Sequence, residues 1–249
     1  MRTAIWALAL LVPAVGWAAD AAEQTARIDA LYAQRHDAQK LKELSQLVDD
    51  ALSAHPEDFG VLWRASRFFY WQCDGAPASA EKQKRAWGER SAQLGQKALE
   101  KSPERVEGHY FAAIGLGCYS QAVGVVTALR QGVEGRFNRW LDKAISIDPG
   151  YDNGGPLIAK GRYFFELPWP KRDLGKSREF LQRAVQTKPH AVRAHLYLAE
   201  TMLKDGDAKG AKAAVERALA GDEGYDPAEA RRSKAWAKTL KSQIEEELK

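Results

Sequence analysis

The chain is poor in the residues that announce chemistry. It has two cysteines, Cys73 and Cys118, too few and too far apart for a zinc motif or a haem attachment site. Its five histidines, His36, His55, His109, His190 and His195, are scattered, and no pair has the His-x-x-x-His spacing of a helical metal site. No Gly-x-Ser-x-Gly nucleophile elbow occurs. Gly154-Gly155-Pro156 lacks the preceding strand and the Lys-Ser/Thr ending of a phosphate loop. It reads instead as a turn with glycine at positive φ, opening a helix that has Pro at its first position. Runs of alternating β-branched residues between turn pairs are missing, which argues against sheet. These absences leave no candidate catalytic residue, no metal site and no cofactor.

Long apolar runs are scarce too. The one conspicuous stretch, Ala4 to Val12, follows Arg2, is broken by Pro13 and leads into Gly16-Trp17-Ala18-Ala19-Asp20. A basic start, a short apolar run and small residues form the layout of a secretory signal peptide, with the cut expected after Ala18 or Ala19. The run is too short to span a bilayer, and no stop-transfer pattern follows. We therefore expect residues 1–19 to be a leader and residues 20–249 a single domain in the periplasm, without stable membrane insertion. No cysteine follows the cut, so a lipoprotein anchor is not expected. The net charge of +4 is spread along the chain rather than gathered in a stripe, which speaks against nucleic acid. In an oxidising compartment Cys73 and Cys118 would form one disulfide, while two buried free thiols are the other reading.

What the chain has in abundance is repetition. A small residue precedes Pro by five positions in Ala51-Leu52-Ser53-Ala54-His55-Pro56, Ala98-Leu99-Glu100-Lys101-Ser102-Pro103, Ala144-Ile145-Ser146-Ile147-Asp148-Pro149 and Ala184-Val185-Gln186-Thr187-Lys188-Pro189. A fifth, degenerate copy starts at Ala218. The pattern predicts a helix that ends in close contact at Ala and is stopped by Pro. It resembles the tetratricopeptide repeat, a helix–turn–helix of about 34 residues. The prolines here lie 47, 46 and 40 residues apart, so each unit carries extra chain. We place the surplus at Asp74–Ala78, Ser120–Gly135 and Glu166–Asp173. Buried faces at helical spacing follow: Leu62, Ala65, Ser66 and Phe69; Phe111, Ile114, Gly115 and Cys118; Leu157, Lys160, Gly161 and Phe164, with Lys160 a misfit; His195, Leu198, Ala199 and Met202. The expected fold is all-α, an α-solenoid of four to five tetratricopeptide-like helix pairs closed by a charged C-terminal capping helix, Pro227 to Leu248.

Three segments go beyond a generic repeat: Asp148 to Tyr163, with its Gly-Gly-Pro and Gly161; Glu107 to Gly117; and His195-Leu196-Tyr197-Leu198-Ala199-Glu200. Together they resemble the T-component (TatT) family of TRAP transporters, over about Phe59 to Leu219. The resemblance implies a periplasmic repeat protein with a pore or groove. It would partner the solute-binding protein of a TRAP system and hand over an organic acid or an apolar ligand. The sequence departs from the family's lipoprotein members in having no lipid-attachment cysteine.

In a solenoid the first helix of each pair lines the concave side. The positions beside the buried stripe are then the candidates for binding a ligand or partner: Trp63, Arg67, Tyr70 and Trp71; His109, Leu116 and Tyr119; Arg162, Phe165 and Glu166; Arg193, Leu196, Glu200 and Lys204. Aromatic walls supply apolar contact and Arg a fork for carboxylate, so an organic anion or a peptide segment would suit such a groove. Core packing is the competing reading, and the stronger one for Trp63, Tyr119 and Phe165. Arg67 and Arg162 need partners if buried, with Glu166 or Glu200 as candidates. Two functions remain open, a small-ligand carrier and a protein-binding scaffold; a homo-oligomer is compatible with both.

Overall fold

The computed structural model describes residues 14–249, with side chains from Asp20 onward. The apolar segment of the expected leader lies outside the described residues. Twelve helices and no strand are present among the described residues. Five antiparallel pairs follow one another: α1 (Ala14–Ala33) with α2 (Ala38–Ala54), α3 (Phe59–Gly75) with α4 (Glu81–Lys101), α5 (Val106–Val123) with α7 (Val133–Ile147), α8 (Tyr151–Glu166) with α9 (Leu174–Thr187), and α10 (Val192–Lys204) with α11 (Ala208–Ala220). The short α6 (Val125–Arg130) interrupts the third pair, and α12 (Pro227–Glu247) closes the array. The fold is an all-α solenoid of helix pairs.

The repeated Ala–Pro phrase explains where the second helices stop. Ala51, Ala98, Ala144 and Ala184 are all fully buried. Each accepts, through its carbonyl, the backbone N–H of the residue just before the repeat's Pro: His55, Ser102, Asp148 and Lys188. Pro has no N–H to continue that ladder, so the helix ends there. Starts are set by aspartates. Asp37, Asp58, Asp173, Asp207 and Asp226 each accept from a backbone N–H in the first turn, satisfying donors that the helix leaves open.

Close approach between helices rests on small residues. A Cβ on Gly95 of α4 would meet the backbone N of Ala112 at 2.4 Å, and one on Gly108 of α5 would meet the N of Leu99 at 2.5 Å. Hydroxyls clasp the interior. Ser66 donates to the carbonyl of Ser91 (2.7 Å) and Ser91 to that of Ser66 (2.9 Å), joining α3 to α4; Ser177 and Thr201, 2.9 Å apart, join α9 to α10. Cys73 and Cys118 are bonded as a disulfide, with Cα atoms 6.3 Å apart, which ties α3 to α5. The misfit Lys160 is buried and satisfied, donating to Asn138 (2.8 Å) and Asp142 (2.7 Å) of α7. The three inserts fall where the spacing put them. The first, Asp74–Ala78, covers the end of α3 and the link into a short 3₁₀ turn, Ala78–Ala80; the second contains α6, and the third is the loop before α9.

Packing this tight admits no methyl group at α4–α5. Gly95→Ala is expected to lower unfolding stability by about 2 kcal/mol or more, an overpacking cost. Gly135→Ala, where a Cβ meets nothing within 4 Å, is expected to leave stability unchanged or raise it by up to ~1 kcal/mol; guanidinium titrations of the two variants check this. The disulfide closes a separation of 45 residues. Its reduction is expected to cost about 4 kcal/mol in the chain-entropy account, read from denaturation with and without reductant.

Candidate functional site

The concave faces of α3, α5, α8 and α10 enclose a cavity of about 370 Å³. On each helix a pair four residues apart points inward: Tyr70 and Asp74, Tyr110 and Ile114, Ile158 and Arg162, Arg193 and Tyr197. This is the same-face spacing of an α-helix, so the repeats deliver their side chains in register. The insert supplies one wall through Val125, Ala128 and Leu129, and the C-terminal helix another through Glu229 and Trp236. The result is a pocket walled by both the insert and the cap, rather than a groove open along the array.

One end of the cavity is an ionic lattice. Arg193 donates to the Tyr70 hydroxyl (3.1 Å) and to Asp74 (3.0 Å), and its Nε lies 2.8 Å from Glu229. Arg232 of α12 reaches Asp74 at 3.3 Å and stacks on Trp71, 3.1 Å from the ring centre. Arg35, between α1 and α2, pairs with Asp226 at 2.5 Å and lies between the rings of Tyr32 and Trp71, at 3.7 and 4.0 Å. At the other end Arg162 pairs with Glu166 (2.6 Å) and Glu200, and stacks on Phe165 and Tyr197. Beside it Tyr163 donates to Glu134 (2.7 Å), which Lys171 also engages at 2.6 Å.

The turn into α8 is unusual. Asp152, Asn153 and Gly154 have φ of 47°, 57° and 86°, a left-handed stretch that disfavours residues other than glycine. The expectation of positive φ at Gly154 holds, and two further residues share it. Gly155 next to it packs where a Cβ would lie 2.3 Å from the Tyr110 hydroxyl. The turn thereby carries Asp152 into the cavity wall.

Burial acts differently on each acid. It works to raise Asp74, yet Arg193 and Arg232 outweigh it and hold Asp74 below the usual carboxylate range. Asp152 has too little compensation: burial, then the charge of Asp226, raise it, against the Tyr110 hydroxyl and more distant arginines. Glu229 is pushed up to about 7, by burial first and then by Asp152 and Asp226, against Arg193. Its folded value exceeds its value of 4.5 in an open chain, so the neutral acid is the form the fold prefers. The stability this gives is complete below about pH 4.5 and is lost as pH rises through about 7. Glu229→Gln keeps the neutral shape. It is expected to stabilise the fold at pH 8 by ~1–3 kcal/mol and to change little at pH 5, as denaturant titrations at the two pH values would show.

Of the candidates read from the sequence, Tyr70, Trp71, Arg162, Glu166, Arg193 and Glu200 come together around the cavity. Trp63, Arg67, His109, Tyr119 and Phe165 are not part of its wall. Trp63 is buried and stacks on Phe111, ring centres 5.9 Å apart. Arg67 is held by Asp29 at 2.5 Å, over the ring of Tyr32. His109 is buried and bonds the carbonyl of Pro103 at 2.8 Å, as His195 does that of Pro189. A carbonyl can only accept, so Nε2 carries the proton in both, and the two histidines are equivalent repeat positions. Tyr119 bonds Gln131 at 3.1 Å, at the insert, and Phe165 packs between Arg162 and Lys204. Leu116 and Leu196 belong to the core.

The reading missed Asp152 and Glu229. Asp152 figured only inside the segment Asp148 to Tyr163, and Glu229 only within the charged capping helix Pro227 to Leu248. α12 does close the array, and its inner face is in addition a wall of the site. The Asp226-Pro227 start of α12 was a legible helix signal, but no periodicity tells which face folds inward. An open guanidinium for an organic anion is also absent from the site, since Arg35, Arg162 and Arg193 are each taken up by carboxylates of the chain itself.

Among the described residues no helix is long and apolar enough to cross a membrane, and no group of three or more His, Cys, Asp and Glu is placed to hold a metal ion. The chain is similar in structure to a thermophilic TPR protein of Thermus thermophilus, with a TM-score of 0.64 and 18% identity, over 87% of this chain and 98% of that one. More distant likenesses are to MamA protein (TM-score 0.45, 12% identity, 86% of this chain and 95% of that one). Yeast Tom70 gives a TM-score of 0.43 and 15% identity, over 83% of this chain and 44% of that one. No curated protein matches. A tetratricopeptide-repeat family model matches residues 171–237, and the model described as "Regulator of microtubule dynamics protein 1-3" matches residues 24–167. With that second model covering more than half of its length, the chain belongs to the regulator of microtubule dynamics protein 1-3 family, on a tetratricopeptide-repeat scaffold.

Proposed function

We propose that this chain is an exported helical-repeat binding protein whose central cavity takes one small organic molecule. The observation that carries this reading is the cavity itself. At about 370 Å³ it has the size of a small-molecule site, and it is walled on the concave side by four repeats, the insert and the cap. Export rests on the leader-like residues 1–19 and agrees with the Cys73–Cys118 disulfide, a bond that persists in oxidising compartments. The finer reading is an accessory protein of the TRAP T-component kind, which passes its ligand to or from a solute-binding protein. Two of the segments that carry the likeness, Asp148–Tyr163 and His195–Glu200, supply Asp152, Arg162, Tyr197 and Glu200 to the cavity wall, which favours this assignment.

A second reading is a protein-binding scaffold that holds a peptide segment, and the tetratricopeptide architecture favours it. One experiment separates the two. A ligand that binds only the folded state raises its stability, by about 2.7 kcal/mol at a hundredfold excess over Kd. Ala159 lies in the cavity wall, and Ala159→Trp fills the space. We expect a small molecule from a broad metabolite panel to raise the melting temperature of the wild-type chain but not of Ala159→Trp. Peptides that bind both forms equally, with no small-molecule shift, would replace the carrier by the scaffold.

A further inference from the structure

The charges of the cavity do not balance. Seven carboxylates line it, against three guanidiniums and no lysine. Two cations reach in from outside the wall, Arg232 onto Asp74 and Lys171 onto Glu134. Even so, five positive groups answer seven negative ones. Pair by pair, the deficit falls on two residues. Asp226 has Arg35, while Glu166 and Glu200 share Arg162. Asp74 has Arg193 and Arg232, which leaves Glu229 only a share of Arg193. Asp152 has the Tyr110 hydroxyl as its close partner, with Arg67 and Arg35 acting on it only as more distant charges.

The surroundings of these two acids are aromatic. Tyr70, Tyr110, Tyr197 and Trp236 line the cavity with them. Ring faces attract cations, most strongly where water is excluded. The protein uses this chemistry on its own side chains, stacking Arg35 and Arg232 on Trp71 and Arg162 on Tyr197. An anion entering the cavity meets more carboxyl groups than cations, and guanidiniums that are already paired. A cation meets two carboxylates short of partners and a tyrosine-rich wall.

We propose that the cavity binds an organic cation, with an aliphatic ammonium group seated between Asp152 and Glu229 and the tyrosines Tyr70 and Tyr110 around it. The proposal rests on the reading of the cavity as a ligand site and names the class of that ligand. A free amine and a lysine side chain offered by a partner share this chemistry.

Calorimetry on the chain from Asp20 onward tests it, with spermidine, succinate, decanoate, a lysine-containing hexapeptide and the same peptide acetylated at the lysine Nε. Spermidine or the unmodified peptide is expected to bind and the rest not. Whichever binds tighter identifies the source. Asp152→Asn and Glu229→Gln are each expected to weaken binding by at least about tenfold, while Asp50→Asn on the exposed outer surface leaves it unchanged. Asn tolerates the left-handed backbone of position 152 as well as Asp does, so that variant keeps the turn; its circular dichroism spectrum checks the fold. Succinate or decanoate binding in place of the amines overturns the cation and leaves the cavity a ligand site. Amine binding that both variants retain places the amine elsewhere and overturns it as well. If nothing in the panel binds and the broad metabolite screen is also silent, the small-molecule reading falls with it.

Discussion

Arg193 holds the two halves of the superhelix to one another. It stands in the fifth helix pair and bonds Tyr70 and Asp74, more than a hundred residues earlier in the second pair. Its Nε faces Glu229 on the closing helix. A stack of helix pairs contacts only its neighbours unless something crosses the concave side. Here the crossing is made by Arg193 with two carboxylates and a hydroxyl, reinforced by Arg232 on Asp74 and Arg35 on Asp226. Desolvating such groups is costly, and their attraction offsets that cost only when most partners are in place. The arrangement is therefore weak as a source of stability and strong as a geometric constraint. It fixes how far α3, α10 and α12 stand apart, and so the width of the cavity they share.

That constraint works because the helices behind it cannot slide. Gly88, Gly95, Gly108 and Gly115 each lie where a Cβ would come within 2.6 Å of an atom on the facing helix. Interiors at such contact are bistable or rigid, and continuous deformation is not open to them. The disulfide pins α3 to α5 beside the same wall. Rigid outer packing and a polar inner lattice thus divide the work. The first sets the curvature, and the second sets which chemistry the concave face presents.

This division also decides what could be read in advance. The helix pairs were legible, because a buried Ala followed after five positions by Pro is a local device: the carbonyl of that Ala accepts the last N–H before the ring that has none. Six of the fourteen candidate binding residues reached the cavity for a similar reason. Tyr70, Arg162 and Glu200 lie beside a buried stripe that the 3.6-residue period reveals. The same rule failed for Trp63 and His109, which stack and bond inside the repeat. Exposure on the concave side depends on how far each pair rotates against the next. Asp152 and Glu229 were beyond reach for a different reason. Their placement needs a left-handed turn and a long-range return of the last helix, neither of which leaves a periodic trace.

The cavity's charge then follows from its construction rather than from composition. The chain as a whole carries a net positive charge, yet among the charged residues that line the space at its centre acids outnumber bases, seven to three. No lysine lines the space, and Lys171 alone reaches in, onto Glu134, because long flexible cations keep their charge in water. Each Arg that does enter is consumed by the need to pair, so added guanidinium yields structure and no net field. A buried acid left without a full partner has two ways to satisfy its environment: take a proton, or accept a cation from outside. Glu229, pushed up to about 7 by burial, stands between the two states. A site of this kind develops its full negative charge only when a cation is there to compensate it. Its selectivity comes from offering a charge only to the group that can compensate it.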